Sequence, residues 1–407
     1  MMKISKISKL IVKYKGKVVG YLAELKNGDI AFQYEDNWLK DGFSISPLSL
    51  PLSNEIFIPK KKTLDGLFGV FNDSLPDGWG ELLVRRKLNS HGINYDKLTP
   101  LQKLSIINHN SLGALEYEPN IIFKKKNIKY DLDVLAKEIE KIYDDNANDN
   151  NLDEIFNLGG SSAGARPKAY IEYDNEEWII KFPCSFDPKD IGKKEYLANS
   201  IARECKIDVN EYKLFDSNIC SGYFAAKRFD RSNGEKIHMI SLAAILETSH
   251  RIPNLDYGHL FQVVSKISVN KEKDLYEVFK RMCFNVFYKN RDDHSRNFSF
   301  LYDEKLKGYI LSPFYDITSL PKKPEHEMTV NDNGLPTEND ILELAQYFKL
   351  SKSKCIEIMN DIKQIINKNI GIWDTDSFYA VCRACYMSRV KVPREVFVAN
   401  SIVTCKA

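Results

Sequence analysis

The sequence lacks an excess of charge of either sign, because 58 Lys and Arg against 56 Asp and Glu leave a formal net charge of +2 over 407 residues. This balance argues against a generally basic DNA-coating protein, although it leaves room for a local basic patch. The sequence also lacks an apolar run of membrane length, and its start, MMKISKISKLIVKYKGK, is positively charged without a long apolar stretch. We therefore expect a cytoplasmic protein with no membrane partner.

Closely spaced cysteines are scarce as well. Among eight cysteines, only Cys382 and Cys385 form a C-x-x-C pair, in an apolar, helix-like stretch without a second pair at zinc-site spacing. Packing in a core is favoured over metal or redox use, because free cysteine commonly behaves as a small buried hydrophobe. Scattered, unpaired thiols fit a reducing cytosol.

The patterns that are present predict an α+β fold with more than one domain, since 407 residues exceed what one compact core usually holds. Lys15-Gly16 and Asn27-Gly28 separate alternating apolar runs, a pattern typical of β hairpins, and a helix is predicted to begin near Gly78. Later, an amphipathic helical pattern is followed by the polar stretch DDNANDNNLDE, which predicts a linker at the main domain boundary.

We predict four parts along the chain, in which a β-rich lobe precedes a helix-rich lobe around a cleft. Residues 1–120 form a β-rich N-terminal subdomain and residues 121–155 a helix with the polar linker. The β-rich lobe covers residues 156–230, and the helix-rich lobe covers residues 231–407.

A run of small residues lies in GGSSAGARPK, directly before a predicted strand: Gly159, Gly160, Ala163, Gly164 and Ala165. Small side chains allow backbone N–H groups to approach a phosphate closely. The stretch is neither a Walker A loop nor G-x-G-x-x-G, so a flexible turn explains it equally well on motif grounds.

Lys181 follows three large apolar residues in WIIKFP, which predict a buried strand. A buried ammonium group needs a charged partner, and Glu195 on the next predicted helix can supply it. In protein kinases such a pair orients the lysine that holds the α- and β-phosphates of ATP. A strand-end lysine that reaches water is the alternative interpretation.

The stretch NRDDHSRNFSFL places Asp292 and Asn297 five positions apart, the spacing of the catalytic base and the metal-binding asparagine in the kinase catalytic loop. The aspartate would accept the proton of the attacking hydroxyl, and the asparagine oxygen suits Mg²⁺. An ordinary polar turn between a helix and a strand is the alternative. Asp316, which follows an apolar strand in YILSPFYDITSLP, stands where a second metal-binding carboxylate is expected, although DIT replaces the usual DFG.

The order of these patterns favours a kinase over the alternatives, in which each pattern is an ordinary turn or strand end. A small-residue loop, a strand lysine, a helix glutamate, an Asp-x₄-Asn loop and a strand-end aspartate follow one another as in a protein kinase.

Several motifs resemble the HipA-like serine/threonine kinases, the toxins of bacterial toxin–antitoxin pairs: FNDSLPDGWGELLVRRKL, SSAGARPK, AAKRFDR, DDHSRNFSFL and LSPFYDITS. The resemblance implies a bilobed kinase that uses ATP and Mg²⁺, with Asp292 as the base beside the Lys181–Glu195 pair and with Asn297 and Asp316 as metal ligands. It also implies nucleotide contacts from Lys181 and from four segments: Ala163, Gly164, Ala165, Arg166, Pro167 and Lys168; Lys227, Arg228 and Phe229 at the adenine; His294, Ser295, Arg296 and Asn297; and Tyr315 and Asp316.

The resemblance further implies autophosphorylation in the phosphate loop, with Ser161 as the best match and Ser162 beside it. A phosphoserine there would repel the ATP phosphates and silence the enzyme. Arg166-Pro167 departs from the pattern of the founding members, and the proline stiffens the loop. By the same resemblance, the expected partners are a protein substrate such as an aminoacyl-tRNA synthetase and a small helix-turn-helix antitoxin, with DNA contacted only through that antitoxin.

Two other functions remain open at this point. In the first, the fold is a module that binds ATP or a partner without phosphoryl transfer, for instance as an inhibitor of another kinase. In the second, it is a small-molecule kinase of related fold. The presence of both Asp292 and Asp316 argues against a pure binding module, which has no need of them.

Overall fold

The structure is a computed structural model that describes residues 4–61, 63–107, 111–121, 131–144, 152–160, 162 and 164–369. Cys382, Cys385, Ser161 and Ala163 lie outside the described residues, so what the sequence predicts for them stays a prediction. No helix within the described ranges has both the length and the apolar composition needed to cross a bilayer.

A four-stranded antiparallel sheet opens the fold, with strand order β3-β2-β1-β4. Its strands are β1 (Lys9–Tyr14), β2 (Lys17–Glu24), β3 (Ile30–Tyr34) and β4 (Leu115–Glu118). Both predicted hairpins are confirmed, because Lys15-Gly16 connects β1 to β2 and Asn27-Gly28 lies between β2 and β3. Gly16 and Gly28 have φ values of 77° and 84°, in the left-handed region that such turns require.

The helices between β3 and β4 are α1 (Asp36–Asp41), α2 (Gly69–Asn72), α3 (Trp79–Asn89) and α4 (Pro100–Ser105), with a 3-10 helix at Tyr95–Lys97. The predicted helix start is confirmed, because Gly78 is the N-cap residue of α3. Helix α4 begins with a capping box in which Thr99 and Gln102 satisfy each other's backbone N–H groups.

Two amphipathic helices follow, α5 (Leu132–Tyr143) and α6 (Leu152–Gly159). The prediction that the polar linker extends through residue 154 is wrong at its end, because residues 152–154 form the first turn of α6. Leu152 begins the buried face of this helix, and the acidic Asp153 and Glu154 favour a helix N-terminus through the helix dipole.

A second antiparallel sheet, in the order β5-β6-β8-β7, forms the β-rich lobe. It contains β5 (Lys168–Tyr173), β6 (Glu176–Lys181), β7 (Tyr212–Phe215) and β8 (Tyr223–Lys227), and the helix α7 (Ile191–Glu204) joins β6 to β7. The strand that ends at Lys181 and the helix that contains Glu195 are therefore confirmed as elements.

From β8 to residue 369 the described chain is mainly helical: α8 (Leu242–Ile245), α9 (Tyr257–Ile267), α10 (Lys271–Tyr288), α11 (Glu338–Tyr347) and α12 (Lys352–Asn369). A three-stranded sheet in the order β11-β13-β14 supports the site with β11 (Met239–Ser241), β13 (Ser299–Asp303) and β14 (Gly308–Leu311). The described residues also include two short strand pairs: β9 (Arg231–Ser232) with β10 (Glu235–Lys236), and β12 (Leu255–Asp256) with β15 (Met328–Thr329).

Two hydrophobic cores hold these parts together, and both draw on residues from each side of the predicted linker. The larger core joins the first sheet, for example at Leu10, to the helix-rich lobe at Phe261 and Met282. The smaller core packs Trp79 of α3 with the buried face of β6 at Trp178. The N-terminal subdomain therefore packs against both lobes, and the predicted four-part division stays a prediction.

Candidate active site

One cavity between the lobes gathers residues from every element that the sequence singled out. Ten of the residues predicted to contact nucleotide line it: Gly164, Lys168, Lys181, Lys227, Phe229, His294, Arg296, Asn297, Tyr315 and Asp316. They come from the small-residue loop, from β5 and β6, from the end of β8, from the loop after α10 and from the segment after β14. The cavity thus has the composition expected of a nucleotide site.

Lys181 lies at the centre of this arrangement, because its ammonium group pairs with the carboxylates of both Glu195 and Asp316. Burial lowers the pKa of Lys181, but the two carboxylates outweigh burial and the pKa is raised, so the ammonium stays charged. Burial would raise the pKa of Asp316, yet Lys181 and Lys168 hold it well below its usual range. For Glu195 burial prevails, and its pKa is raised.

Two features of the backbone determine where the Lys181 ammonium group meets the Asp316 carboxylate. Lys181 is the last residue of β6, and the end of this strand places its side chain at the cavity between the lobes. Asp316 has a left-handed φ of 58°, a conformation that aspartate tolerates better than most residues, and this bend turns its side chain toward Lys181.

Lys168 adds a second cation at the end of the small-residue loop, where its side chain is buried. Burial lowers the pKa of Lys168 to about 8, with Asp316 opposing the shift and Lys181 adding to it. A Cβ at residue 164 would lie 2.6 Å from the Lys168 Nζ atom, so the flexible end of that lysine would have to shift. A φ of 87° gives a second reason for glycine at this position.

The small-residue loop is held from outside by the signature FNDSLPDGWG of the N-terminal subdomain. The backbone N–H of Asp77 donates to the carbonyl oxygen of Ser162 at 3.2 Å, and that of Trp79 donates to the carbonyl oxygen of Gly164 at 3.0 Å. A Cβ at Gly78 would lie 2.5 Å from the Gly164 oxygen, and one at Gly80 would lie 2.2 Å from the Ser162 oxygen. The glycines of the signature are therefore explained by close backbone contact with the loop.

The same signature also holds the predicted catalytic loop, through two carboxylates that sequence reasoning did not single out. Arg296 donates to a carboxylate oxygen of Asp77 at 3.3 Å and to the backbone oxygen of Asp73 at 3.2 Å, and its Nε atom lies 3.6 Å from a carboxylate oxygen of Asp73. His250 Nε2 lies 2.7 Å from an Asp77 oxygen. Burial would raise the pKa of Asp77, but its hydrogen bond from His250 and the charge of Arg296 keep that pKa well below its usual range. Asp73 also lines the cavity, and burial raises its pKa.

Asp292, the predicted base, is not among the described residues that line the cavity. Its backbone oxygen accepts a hydrogen bond from the Asn297 side chain at 2.8 Å, so the two residues five positions apart hold one tight bend. The Asp292 carboxylate lies 3.4 Å from the Lys323 ammonium and is 29% exposed. A base at this position is open to an acceptor hydroxyl arriving from solvent, while Asn297 lines the cavity.

Asp293, next to the predicted base, is a buried support of the loop. It accepts hydrogen bonds from Tyr257 at 2.9 Å, from His326 at 2.9 Å and from the backbone N–H of Glu327 at 3.0 Å. Residue type does not distinguish Asp293 from Asp292, since both are aspartates in one polar turn; the sequence separates them only by the five-position spacing of Asp292 to Asn297.

Other predicted nucleotide contacts lie outside the lining formed by the described residues: Ala165, Arg166, Pro167, Arg228 and Ser295. Arg166 pairs with Asp187 at 3.2 Å. Arg228 is fully buried and pairs with Asp230 at 2.7 Å, while its backbone N–H donates to Glu177. At the predicted hinge, it is Lys227 and Phe229 that line the cavity. Ser162, a candidate for autophosphorylation, is buried, and its hydroxyl donates to the Gly159 carbonyl oxygen at 2.7 Å.

The donor atoms fit a magnesium ion accompanied by nucleotide. Asn297 and Asp316 line one cavity, and the Asn297 amide nitrogen is engaged by Asp292, which leaves its carbonyl oxygen as the group for a ligand. Mg²⁺ prefers oxygen and commonly takes only one or two protein ligands, with water and phosphate oxygens as the others. The absence of a cluster of three or more His, Cys, Asp or Glu in the described part of the chain is compatible with such a site.

Comparison with known proteins places the chain in a family. Residues 10–118 match the family described as the HipA N-terminal domain, and residues 160–370 match the HipA-like C-terminal domain. A solved structure from Shewanella oneidensis MR-1, the complex of HipA, HipB and operator DNA, contains a chain with 19% identity and a TM-score of 0.66, over 92% of this chain and 94% of that chain. The likeness shows that the two chains share a fold.

The curated relatives are named only as putative kinases, and their sequence identity to this chain is low. The Sinorhizobium fredii protein named "Putative kinase Y4mE" is 23% identical over 341 residues, 78% of each chain. "Putative kinase Y4dM" of the same organism is 25% identical over 219 residues, and a "Putative kinase" of Haemophilus influenzae is 27% identical over 189 residues. These matches cover 49% and 41% of this chain, but only 52% and 54% of those two relatives, about half their length. The matches to both domains cover most of the described chain, the expected resemblance is confirmed, and the chain belongs to the HipA-like family of kinase-fold proteins.

Proposed function

We propose that this chain is an ATP-dependent serine/threonine protein kinase and the toxin of a toxin–antitoxin pair. The observation that supports kinase activity best is the pairing of Lys181 with both Glu195 and Asp316 in the same cavity as Asn297. This arrangement combines a phosphate-binding cation with metal-binding oxygens, which phosphoryl transfer requires.

In the proposed reaction, Lys181 and Lys168 hold the ATP phosphates at the cavity, and Phe229 with Tyr315 forms an aromatic wall whose ring centroids are 5.2 Å apart. Magnesium bound by Asn297 and Asp316 would neutralise phosphate charge. The acceptor hydroxyl oxygen forms a bond to the γ-phosphorus while the bond from that phosphorus to the β-bridging oxygen breaks. Asp292 accepts the hydroxyl proton, and ADP leaves.

We propose autophosphorylation at Ser161 or Ser162 as the means of control. The buried Ser162 hydroxyl, hydrogen-bonded to Gly159, cannot reach a γ-phosphate unless the loop leaves its present position. A phosphate on either serine would oppose return of the loop, because its charge would compete with that of ATP for Lys168 and Lys181.

The proposed partners rest on the family alone. The solved HipA structure contains HipB and operator DNA, and we propose a comparable small DNA-binding antitoxin for this chain, with DNA bound only through it. We propose a translation component such as an aminoacyl-tRNA synthetase as the protein substrate, and growth inhibition as the outcome.

Labelled ATP tests the enzymatic part. The chain is incubated with γ-labelled ATP, Mg²⁺ and a bacterial lysate, beside Lys181→Met, and labelled sites are mapped by mass spectrometry. Phosphoserine or phosphothreonine that is formed only by the unsubstituted chain supports the proposal. Label on a metabolite alone would instead indicate a small-molecule kinase, and ATP binding without transfer would indicate a binding module.

Expression in cells tests the toxin part. Induction of the unsubstituted chain is expected to stop growth, and Lys181→Met, produced at equal level, is expected to leave growth unchanged. Equal growth arrest by both chains would contradict a toxin that acts through phosphorylation.

A further inference from the structure

The segment that follows Asp316 is bound to the catalytic loop by three consecutive residues of that loop. Arg291 donates to the backbone oxygen of Pro321 at 3.1 Å. Asp292 pairs with Lys323, and the buried Asp293 accepts hydrogen bonds from residues 326 and 327.

Lys323 occupies a particular place in that segment. Its Nζ atom lies 2.5 Å from a Glu327 oxygen and 3.4 Å from an Asp292 oxygen, and its side chain is only 23% exposed. Burial lowers the pKa of Lys323, but Asp292 and Glu327 together raise it by more. The net pKa is therefore raised, and the side chain stays an ammonium ion. Neither Lys323 nor Asp292 is among the described residues that line the nucleotide cavity.

We propose that Lys323 is a positioning residue for the general base: its ammonium fixes the Asp292 carboxylate on the acceptor side of the cavity, ready to take the proton of the attacking hydroxyl. This role rests on the proposed phosphoryl transfer. It goes beyond that function, because it assigns to the catalytic step a residue 31 positions beyond the base, in a part of the chain that no motif marks.

Lys323 is shared between two carboxylates, with Glu327 as the closer partner at 2.5 Å and Asp292 at 3.4 Å. The close contact to Glu327 holds the ammonium group in place. The Asp292 carboxylate therefore has a fixed charged neighbour that sets its direction.

The supports of the pair distinguish it from an ordinary surface ion pair, which holds its two side chains weakly. The backbone N–H of Glu327 is bound to Asp293, whose side chain is fully buried, and the His326 ring is bound to the same carboxylate. Arg291 donates to the backbone oxygen of Lys323 itself. The backbone that carries Lys323 is therefore fixed relative to Asp292 before any substrate arrives.

The test compares Lys323→Met and Lys323→Arg with the unsubstituted chain, in label transfer from γ-labelled ATP to lysate proteins over a range of ATP concentrations. Lys266→Met is the matched control, because Lys266 is an exposed lysine of helix α9 in the same lobe. We expect Lys323→Met to lower the maximal rate roughly 10- to 100-fold, part of what a general base contributes. The half-saturating ATP concentration is expected to stay within about twofold, and Lys323→Arg to restore most of the rate, since it returns the cation to the same partners.

Each other outcome overturns the role. A maximal rate for Lys323→Met equal to that of Lys266→Met would show that Asp292 needs no support from Lys323. Equal losses in Lys323→Met and Lys323→Arg, together with a lower melting temperature or weaker ATP binding, would show a merely structural lysine. If the unsubstituted chain transfers no label, the proposed function fails and this role fails with it, whereas normal transfer by Lys323→Met removes this role alone.

Discussion

The backbone N–H of Trp79 donates to the carbonyl oxygen of Gly164 at 3.0 Å, which joins the first turn of α3 to the small-residue loop of the candidate nucleotide site. Asp77 makes the neighbouring contact to Ser162. The N-terminal subdomain therefore contributes directly to the shape of the site, by holding the loop against the cavity. A kinase lobe without this support would have a loop with fewer fixed backbone contacts.

Gly80→Ala tests this support. In an exposed helix, replacing glycine with alanine normally stabilises by about 1 kcal/mol. Here the new Cβ would lie 2.2 Å from the Ser162 oxygen, a backbone atom that cannot move without moving the loop. We expect the opposite sign: lower thermal stability and at least tenfold weaker ATP binding, measured by calorimetry.

Gly234→Ala is the control for that substitution. Gly234 has a φ of 76°, and a Cβ there would meet no atom within 4 Å, so its cost of about 1 kcal/mol is conformational and remote from the loop. ATP binding by Gly80→Ala that equals binding by Gly234→Ala would show that the signature does not hold the loop.

Lys168 predicts a proton linkage to ATP binding. Because its pKa is about 8, roughly half of the molecules carry an uncharged Lys168 at pH 8, and bound phosphate would draw the proton back. We expect uptake of up to about half a proton per ATP at pH 8, and ATP affinity that falls as pH rises above 8. Calorimetry in buffers of different ionisation enthalpy measures the uptake, and Lys168→Met should remove most of it.

The same pKa shift predicts the direction of a stability change. The usual lysine pKa of 10.5 applies in the unfolded chain, which therefore holds more protons than the folded chain between pH 8 and 10.5. The contribution of Lys168 to the free energy of unfolding consequently rises with pH across that window. A difference between the unsubstituted chain and Lys168→Met that is constant with pH would contradict a depressed pKa.

Lys181→Met is expected to destabilise the fold as well as to abolish transfer. Removing the ammonium leaves the buried Glu195 carboxylate beside Asp316, and loss of one partner of a buried pair typically costs about 3–5 kcal/mol. Urea unfolding measures this loss. The double variant Lys181→Met/Glu195→Gln should recover part of the stability and none of the activity, because the second change removes the unpaired charge without restoring the cation.

Much of the site could be predicted from the sequence because its residues follow local patterns. Lys181 ends an apolar strand, Glu195 lies on the following helix, and Asp316 follows a strand and a proline, so each was recognisable within its own element. Their meeting in one cavity follows from the order of elements in the fold.

The remaining contacts could not be predicted, because they depend on residues that are distant in sequence. Arg296 is 219 positions from Asp77, and no local pattern connects them. The sequence also could not predict which partner a side chain contacts. Arg166 lies in the predicted phosphate loop, yet it pairs with Asp187. Residues 152–154 read as the end of the polar linker, because the apolar face of α6 that Leu152 begins becomes apparent only with the residues that follow.

The most direct measurement uses Asp292→Asn, with ATP binding and phosphoryl transfer followed in the same sample. Because Asp292 is not among the described residues that line the nucleotide cavity, the variant should bind ATP·Mg with unchanged affinity. Its transfer rate should fall at least about 100-fold, the loss expected for a general base. Asp361→Asn, which changes an exposed aspartate of α12, should match the unsubstituted chain in both assays. Transfer by Asp292→Asn at the rate of Asp361→Asn would contradict the assignment of the base and, with it, the proposed catalytic loop.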